Sequence, residues 1–73
     1  MTLLQFRKLK VGDEIMNRRQ PGIVLRVTNR KLDVHPEGTT TSLELESSAG
    51  RTWVHDLRHK EYQMAYPQLK LPL

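Results

Sequence analysis

The chain has 73 residues, no cysteine and a formal net charge of +4. A chain of this length forms one domain that buries only about 60% of its unfolded surface, which leaves little room for a deep catalytic cleft, and without cysteine it has neither disulfides nor thiolate metal sites. No stretch nears the ~20 apolar residues of a membrane span, and the first residues place apolar side chains before basic ones, the reverse of a secretory signal; the expectation is a soluble, cytoplasmic protein with no membrane partner.

In chain order, residues 2–10 form a lead-in. Leu3, Phe6 and Lys10 share a helical face, but so short a helix is marginal alone. Leu4, Phe6 or Leu9 is expected to pack over the mouth of the domain. Gly12-Asp13 is a turn signal leading into a first strand, Glu14–Asn17. A basic loop with Arg18 and Arg19 follows, then a second turn signal, Pro21-Gly22. The second predicted strand, residues 23–28, alternates clearly, with Ile23, Leu25 and Val27 inward. Asn29-Arg30 is a two-residue turn candidate without the usual glycine. A third strand, residues 31–35, turns Leu32 and Val34 inward, and Pro36, Glu37 and Gly38 close it. A fourth, residues 41–47, has Leu43 and Leu45 inward and Glu44 and Glu46 outward. After a turn from Ser47 to Gly50, a fifth strand, residues 51–55, places Trp53 on the inner face. Residues 56–62 read as a helical turn capped by Asp56, and the alternation of Tyr62, Met64 and Tyr66 also allows a short extra strand. Pro67 ends the domain, so residues 1–66 form it and residues 67–73 are a tail.

Five short strands at this spacing indicate an all-β sandwich or barrel. A five-stranded antiparallel barrel is favoured, because closure removes exposed edges. The expected core is Ile15, Ile23, Leu25, Val27, Leu32, Val34, Leu43, Leu45 and Trp53.

Gly12-Asp13-x-Ile15, a basic loop, then Pro21-Gly22-x-Val24-x-x-Val27 resembles the start of small SH3-like barrels of the KOW and Tudor kind. The resemblance spans about residues 9–55 and is one of turns and alternation. It implies a strongly bent, five-stranded antiparallel barrel, and it implies function only loosely, because such barrels serve RNA binding, ribosome and polymerase contacts, and peptide binding. A methyl-ligand cage or a proline-ligand groove needs several converging aromatics, and the barrel segment holds only Trp53.

Charge is uneven. Residues 1–31 carry eight Lys or Arg against two acids, and residues 32–73 carry four against six. A basic half points to polyanions; the plain alternative is a solvated surface of mixed sign. Arg18, Arg19, Arg26, Arg30 and Lys31 are the candidate phosphate contacts, forming a stripe along the second strand and its flanking loops, with RNA or DNA as partner. Base stacking would need exposed aromatics, for which Tyr62 and Tyr66 are the candidates. The alternative is a protein-interaction or assembly module, using the barrel surface and a C-terminal segment with Tyr62, Tyr66, Leu69 and Leu71, toward a protein partner or a second copy.

Chemistry is poorly supported. His55 and His59 have the spacing of a helical ligand pair, but no third ligand is evident, and they read as surface histidines, as does His35. Ser47 and Ser48 are loop residues. Glu44 and Glu46 share a strand face and read as solvated carboxylates that pair with Arg26 or Arg51 across the sheet. The expectation is no catalytic residue, no metal and no cofactor.

Overall fold

The computed structural model describes residues 1–65. Five antiparallel strands form one sheet: β1 (Glu14–Asn17), β2 (Val24–His35), β3 (Gly38–Ser47), β4 (Gly50–His55) and β5 (Tyr62–Met64). A five-residue helix, α1 (Leu3–Arg7), precedes them, and a 3-10 helix, Asp56–Glu61, joins β4 to β5. The strand order is β4-β3-β2-β1-β5. The all-β, five-stranded antiparallel domain is therefore the observed fold, and both the helical turn and the extra strand after Trp53 are present. Among the described residues the sheet is not closed, and β4 and β5 are its two edges. No helix among the described residues is long and apolar enough to cross a membrane.

The largest difference from the sequence expectation lies in β2. No turn forms at Asn29-Arg30, where the two-residue loop would need positive φ and neither residue is glycine. The strand runs on for 12 residues. The reversal comes at the Pro36–Gly38 corner, where Gly38 takes φ 141, a conformation side chains disfavour. What does occur after Val27 is a β-bulge: Val27 pairs with Leu45 and Asn29 with Glu44, leaving Thr28 as the extra residue. Its hydroxyl donates to the Glu44 side chain at 2.8 Å. One extra residue switches the inward parity. Leu25 and Val27 point inward before it, and Arg30, Leu32 and Val34 lie on that face after it, opposite Leu43, Thr41 and Thr39.

The core is Phe6, Leu9, Ile15, Val27, Leu43, Leu45, Val54 and Tyr62. Four of these were expected from the alternation: Ile15, Val27, Leu43 and Leu45. Leu25 is partly buried against them. Ile23, Leu32, Val34 and Trp53, all expected inside, are exposed. Ile23 precedes β2 in the loop. Leu32 and Val34 are on the inner face, but the β2–β3 ribbon runs past the end of the core. Trp53 is on the opposite face because Val54, not Trp53, sits in register with Leu43.

The lead-in covers the core with Phe6 and Leu9, while Leu4 stays exposed. A capping box makes its short helix possible: Thr2 Oγ accepts from Gln5 N and Gln5 Oε1 accepts from Thr2 N, satisfying two donors that a helix start leaves open. Packing then holds it, with the Phe6 and Tyr62 rings 6.3 Å apart. Asp56 does not cap the 3-10 helix; His55 occupies the capping position and makes no side-chain bond there. Instead the fully buried Asp56 carboxylate accepts from Thr41 N and from Arg7 Nε, both at 3.0 Å, tying β3, the 3-10 helix and α1 together.

Candidate nucleic-acid interface

The five basic residues predicted to form one stripe are divided by the fold. Arg26 and Lys31 lie on the outer face of the sheet. Arg30 lies on the inner face, because the bulge shifts the parity between them. The outer face is balanced in charge. Glu14, Arg26, Glu46 and Arg51 form one cross-strand row of alternating sign, in which Arg51 Nε approaches Glu46 Oε2 at 3.1 Å. This is the cross-sheet pairing expected for Glu46. The next rows are Asn29, Glu44 and Trp53, then Lys31, Ser42 and His55, with Lys31 Nζ 3.4 Å from Asp33. Four carboxylates thus face three cations there, which leaves no surplus for phosphate.

Arg30 has a structural task. Its guanidinium donates to the Leu9 carbonyl at 2.8 Å and the Arg7 carbonyl at 3.0 Å, stitching the chain after α1 to β2. Removing two such bonds costs about 1–3 kcal/mol. Arg30→Met is expected to lose that much in urea unfolding, whereas Arg26→Ala is expected to change stability by less than about 0.5 kcal/mol.

Arg18 and Arg19 are placed differently. Their loop is built by Asn17, whose side chain accepts from Arg19 N at 2.8 Å and whose carbonyl accepts from Gln20 N at 2.9 Å, an Asx-type turn. Arg18 N donates to the Glu61 carbonyl at 2.8 Å, docking the loop on the end of the 3-10 helix. Arg58 reaches that same residue with two bonds, Nε to Oε2 at 2.7 Å and Nη2 to Oε1 at 2.8 Å. This fork-to-fork pairing is the strong form of the interaction. It holds the Glu61 carboxyl below its ordinary value and the Arg58 guanidinium above its own, with the charge of Arg19 helping on Glu61. Arg18, Arg19, Arg58 and Lys60 are all exposed. Arg58 thus pairs with this carboxylate, the charge of Arg19 acts on it and the Arg18 backbone docks on the same residue, so the local surplus is positive. Arg58 was legible only as a helical neighbour of Glu61 three residues on; its meeting with the Arg18-Arg19 loop is tertiary and leaves no local pattern.

The aromatic expectations invert. Tyr62, expected at a surface, is buried, and burial pushes its phenol up. Trp53, expected in the core, is 45% exposed. It borders an open depression of about 280 Å³ with Lys31, Asp33, Ser42 and His55. The His55 ring meets Ser42 Oγ at 3.1 Å and the His59 ring meets the Met1 carbonyl at 2.8 Å. Among the described residues no cluster of His, Asp or Glu could hold a metal. Tyr66, Leu69 and Leu71 lie outside the described residues.

No family model, curated protein or solved structure matches the chain.

Proposed function

We propose that the chain is a non-enzymatic binding module that contacts nucleic acid through the patch formed by Arg18, Arg19 and Arg58. The observation that carries this reading is the docking of the β1–β2 loop on the 3-10 helix, which brings the backbone of the Arg18-Arg19 loop beside the Arg58–Glu61 pair. Arginine forks suit phosphate geometry and stay charged at any relevant pH. The sequence resemblance to KOW- and Tudor-type barrels is compatible with this reading, since such barrels include RNA binders as well as peptide binders. Arg26, Arg30 and Lys31 have smaller parts in it: Arg30 is held by two carbonyls of the chain, and the face that carries Arg26 and Lys31 has four carboxylates against three cations.

Each phosphate neutralised releases counterions and adds about 0.7 to the slope of log affinity against log salt on single strands, and about 0.9 on duplex. Arg18→Ala with Arg19→Ala is therefore expected to flatten that slope by about 1.4–1.8, with Arg58→Ala flattening it further. Labelled RNA and DNA titrated between about 50 and about 200 mM salt give the measurement. An unchanged slope in the double variant removes the patch from the account.

A second reading, a protein-interaction module, is favoured by one observation: Leu32 and Val34 stand exposed on the sheet face that elsewhere forms the core.

A further inference from the structure

The distal half of the β2–β3 ribbon is an unusual surface. Leu32 is 62% exposed and Val34 is 82% exposed. Both continue the apolar row that Leu25 and Val27 begin, so two core-type side chains face outward where the rest of the sheet has ended. Among the described residues nothing covers this strip, which makes it a candidate interaction surface. Its partners across the ribbon, Thr41 and Thr39, are small.

The strip is bracketed by positive charge. Arg30 lies two residues before Leu32 on the same face, and its guanidinium meets only carbonyl oxygens. Arg7 reaches the Thr39 carbonyl at 3.2 Å, beside Val34 in register. Lys8 and Lys10 follow Arg7 and are exposed. Only Arg7 has a carboxylate partner among the described residues, Asp56. Along the ribbon's edge an open groove of about 490 Å³ runs from Arg7 past Thr39 and Thr40 to His35 and Glu37. Thr39 joins this groove to the apolar strip.

From this arrangement we infer that the distal β2–β3 ribbon docks a peptide segment of a partner protein that carries apolar residues next to carboxylates. A second copy of the chain fits poorly, because the same cations would face each other across a twofold contact. An anionic bilayer offers the right charge but a flat surface. The groove beside Thr39 is concave and suits individual side chains.

The β3 edge is not the docking element. Thr41 N and the Thr39 carbonyl, two of the outward groups of β3 beyond the end of β4, are already held by Asp56 and Arg7. That protects an edge that would otherwise invite strand addition. Recognition is by side chains: apolar residues over Leu32 and Val34, and carboxylates toward Arg30.

The test is selection of a random peptide library displayed on phage against the full chain. The expected result is enrichment of sequences combining apolar residues with Asp or Glu. Those peptides should bind Leu32→Ser with Val34→Ser about tenfold or more weakly, while Arg18→Ala with Arg19→Ala binds them like the parent. Both residues are exposed, so the double serine variant should fold. If it does not, amide shifts of the parent chain on peptide titration replace it, and they should concentrate at residues 32–34 and 39–41. No enrichment, basic peptides, equal binding by the serine variant, or preference for phosphatidylserine vesicles over peptides would each overturn the inference. Because the arginine and serine variants act on separate surfaces, failure here leaves the salt-slope test of nucleic-acid binding intact.

Discussion

Phe6→Ala is expected to cost about 3–5 kcal/mol, a large share of this domain's stability. Phe6 is fully buried and packs on Tyr62, and it is the main anchor of α1 on the sheet. Truncating a buried phenylalanine costs about 3–5 kcal/mol. A domain of this length has only about 4–11 kcal/mol in total, at roughly 0.05–0.15 kcal/mol per residue. The loss also propagates. With α1 detached, Arg30 has no carbonyls to bind and Asp56 loses Arg7. A thermal melt followed by circular dichroism should show a midpoint lowered by more than about 12 °C, since each kcal/mol moves a small domain by about 4–8 °C. Leu4→Ala on the exposed side of the same helix is the control, with an effect within about 0.5 kcal/mol. A small effect at Phe6 would mean that the sheet stands without α1.

Asp56→Ala is expected to have the second largest effect, about 2–4 kcal/mol. One oxygen, Oδ2, accepts from both Thr41 N and Arg7 Nε, while Oδ1 is buried without a hydrogen-bond partner among the described residues. Alanine leaves Thr41 N without a partner just before the part of β3 that pairs with β4. Asparagine can keep the bond from Thr41 and lose only the charge, so Asp56→Asn should be the milder change. Arg7 is partly exposed and returns to water in either variant, which keeps the cost at the lower end for a buried ion pair. Burial pushes the Asp56 carboxyl up, but the Thr41 amide and Arg7 outweigh it and hold it below its ordinary value. A carboxyl lowered by folding contributes stability that is full above its unfolded value, near pH 3.9, and is lost as pH falls through the folded one. The parent should therefore lose stability in acid more steeply than Asp56→Asn below about pH 4. Parallel acid profiles would show that the carboxylate is not ionised by virtue of this contact.

The alternation of apolar residues was enough to find the sheet, and the places where it misled have specific physical causes. The inward residues of β2 are odd-numbered at Leu25 and Val27 and even-numbered at Leu32 and Val34. Such a parity switch requires a break, and a turn at Asn29-Arg30 is the simplest one. The chain uses a one-residue bulge at Thr28 instead, so two short strands become one long strand. The same bulge sends Arg30 to the inner face, and the predicted basic stripe is divided by it. Trp53 misled through size. Thr52-Trp53-Val54 can be read with either parity, and the choice is made by register with Leu43, a long-range pairing invisible within the strand.

The lead-in was legible in part. Phe6 and Leu9 stood out as candidates to cover the core, and Thr2 with Gln5 supplies the capping chemistry. That Tyr62 would complete the core against Phe6 depends on β5 pairing with β1, far apart in sequence. The Arg18-Arg19 loop was visible as a basic loop. Its joining to Arg58 depends on that same β1–β5 pairing, which brings the end of the 3-10 helix beside Asn17. The exposed Leu32 and Val34 were visible as strand residues, but only the length of the continuous β2–β3 ribbon shows that the core stops before them.

The central claim is that Arg18, Arg19 and Arg58 act together as a phosphate-binding patch. The most direct measurement is the salt dependence of binding to labelled single-stranded RNA and DNA, for the parent chain and for Arg18→Ala with Arg19→Ala. The parent is expected to lose affinity steeply between about 50 and about 200 mM salt, with a slope shallower by about 1.4 in the double variant. Binding by the parent with the same slope as the double variant, or no binding at the lower salt, would contradict it.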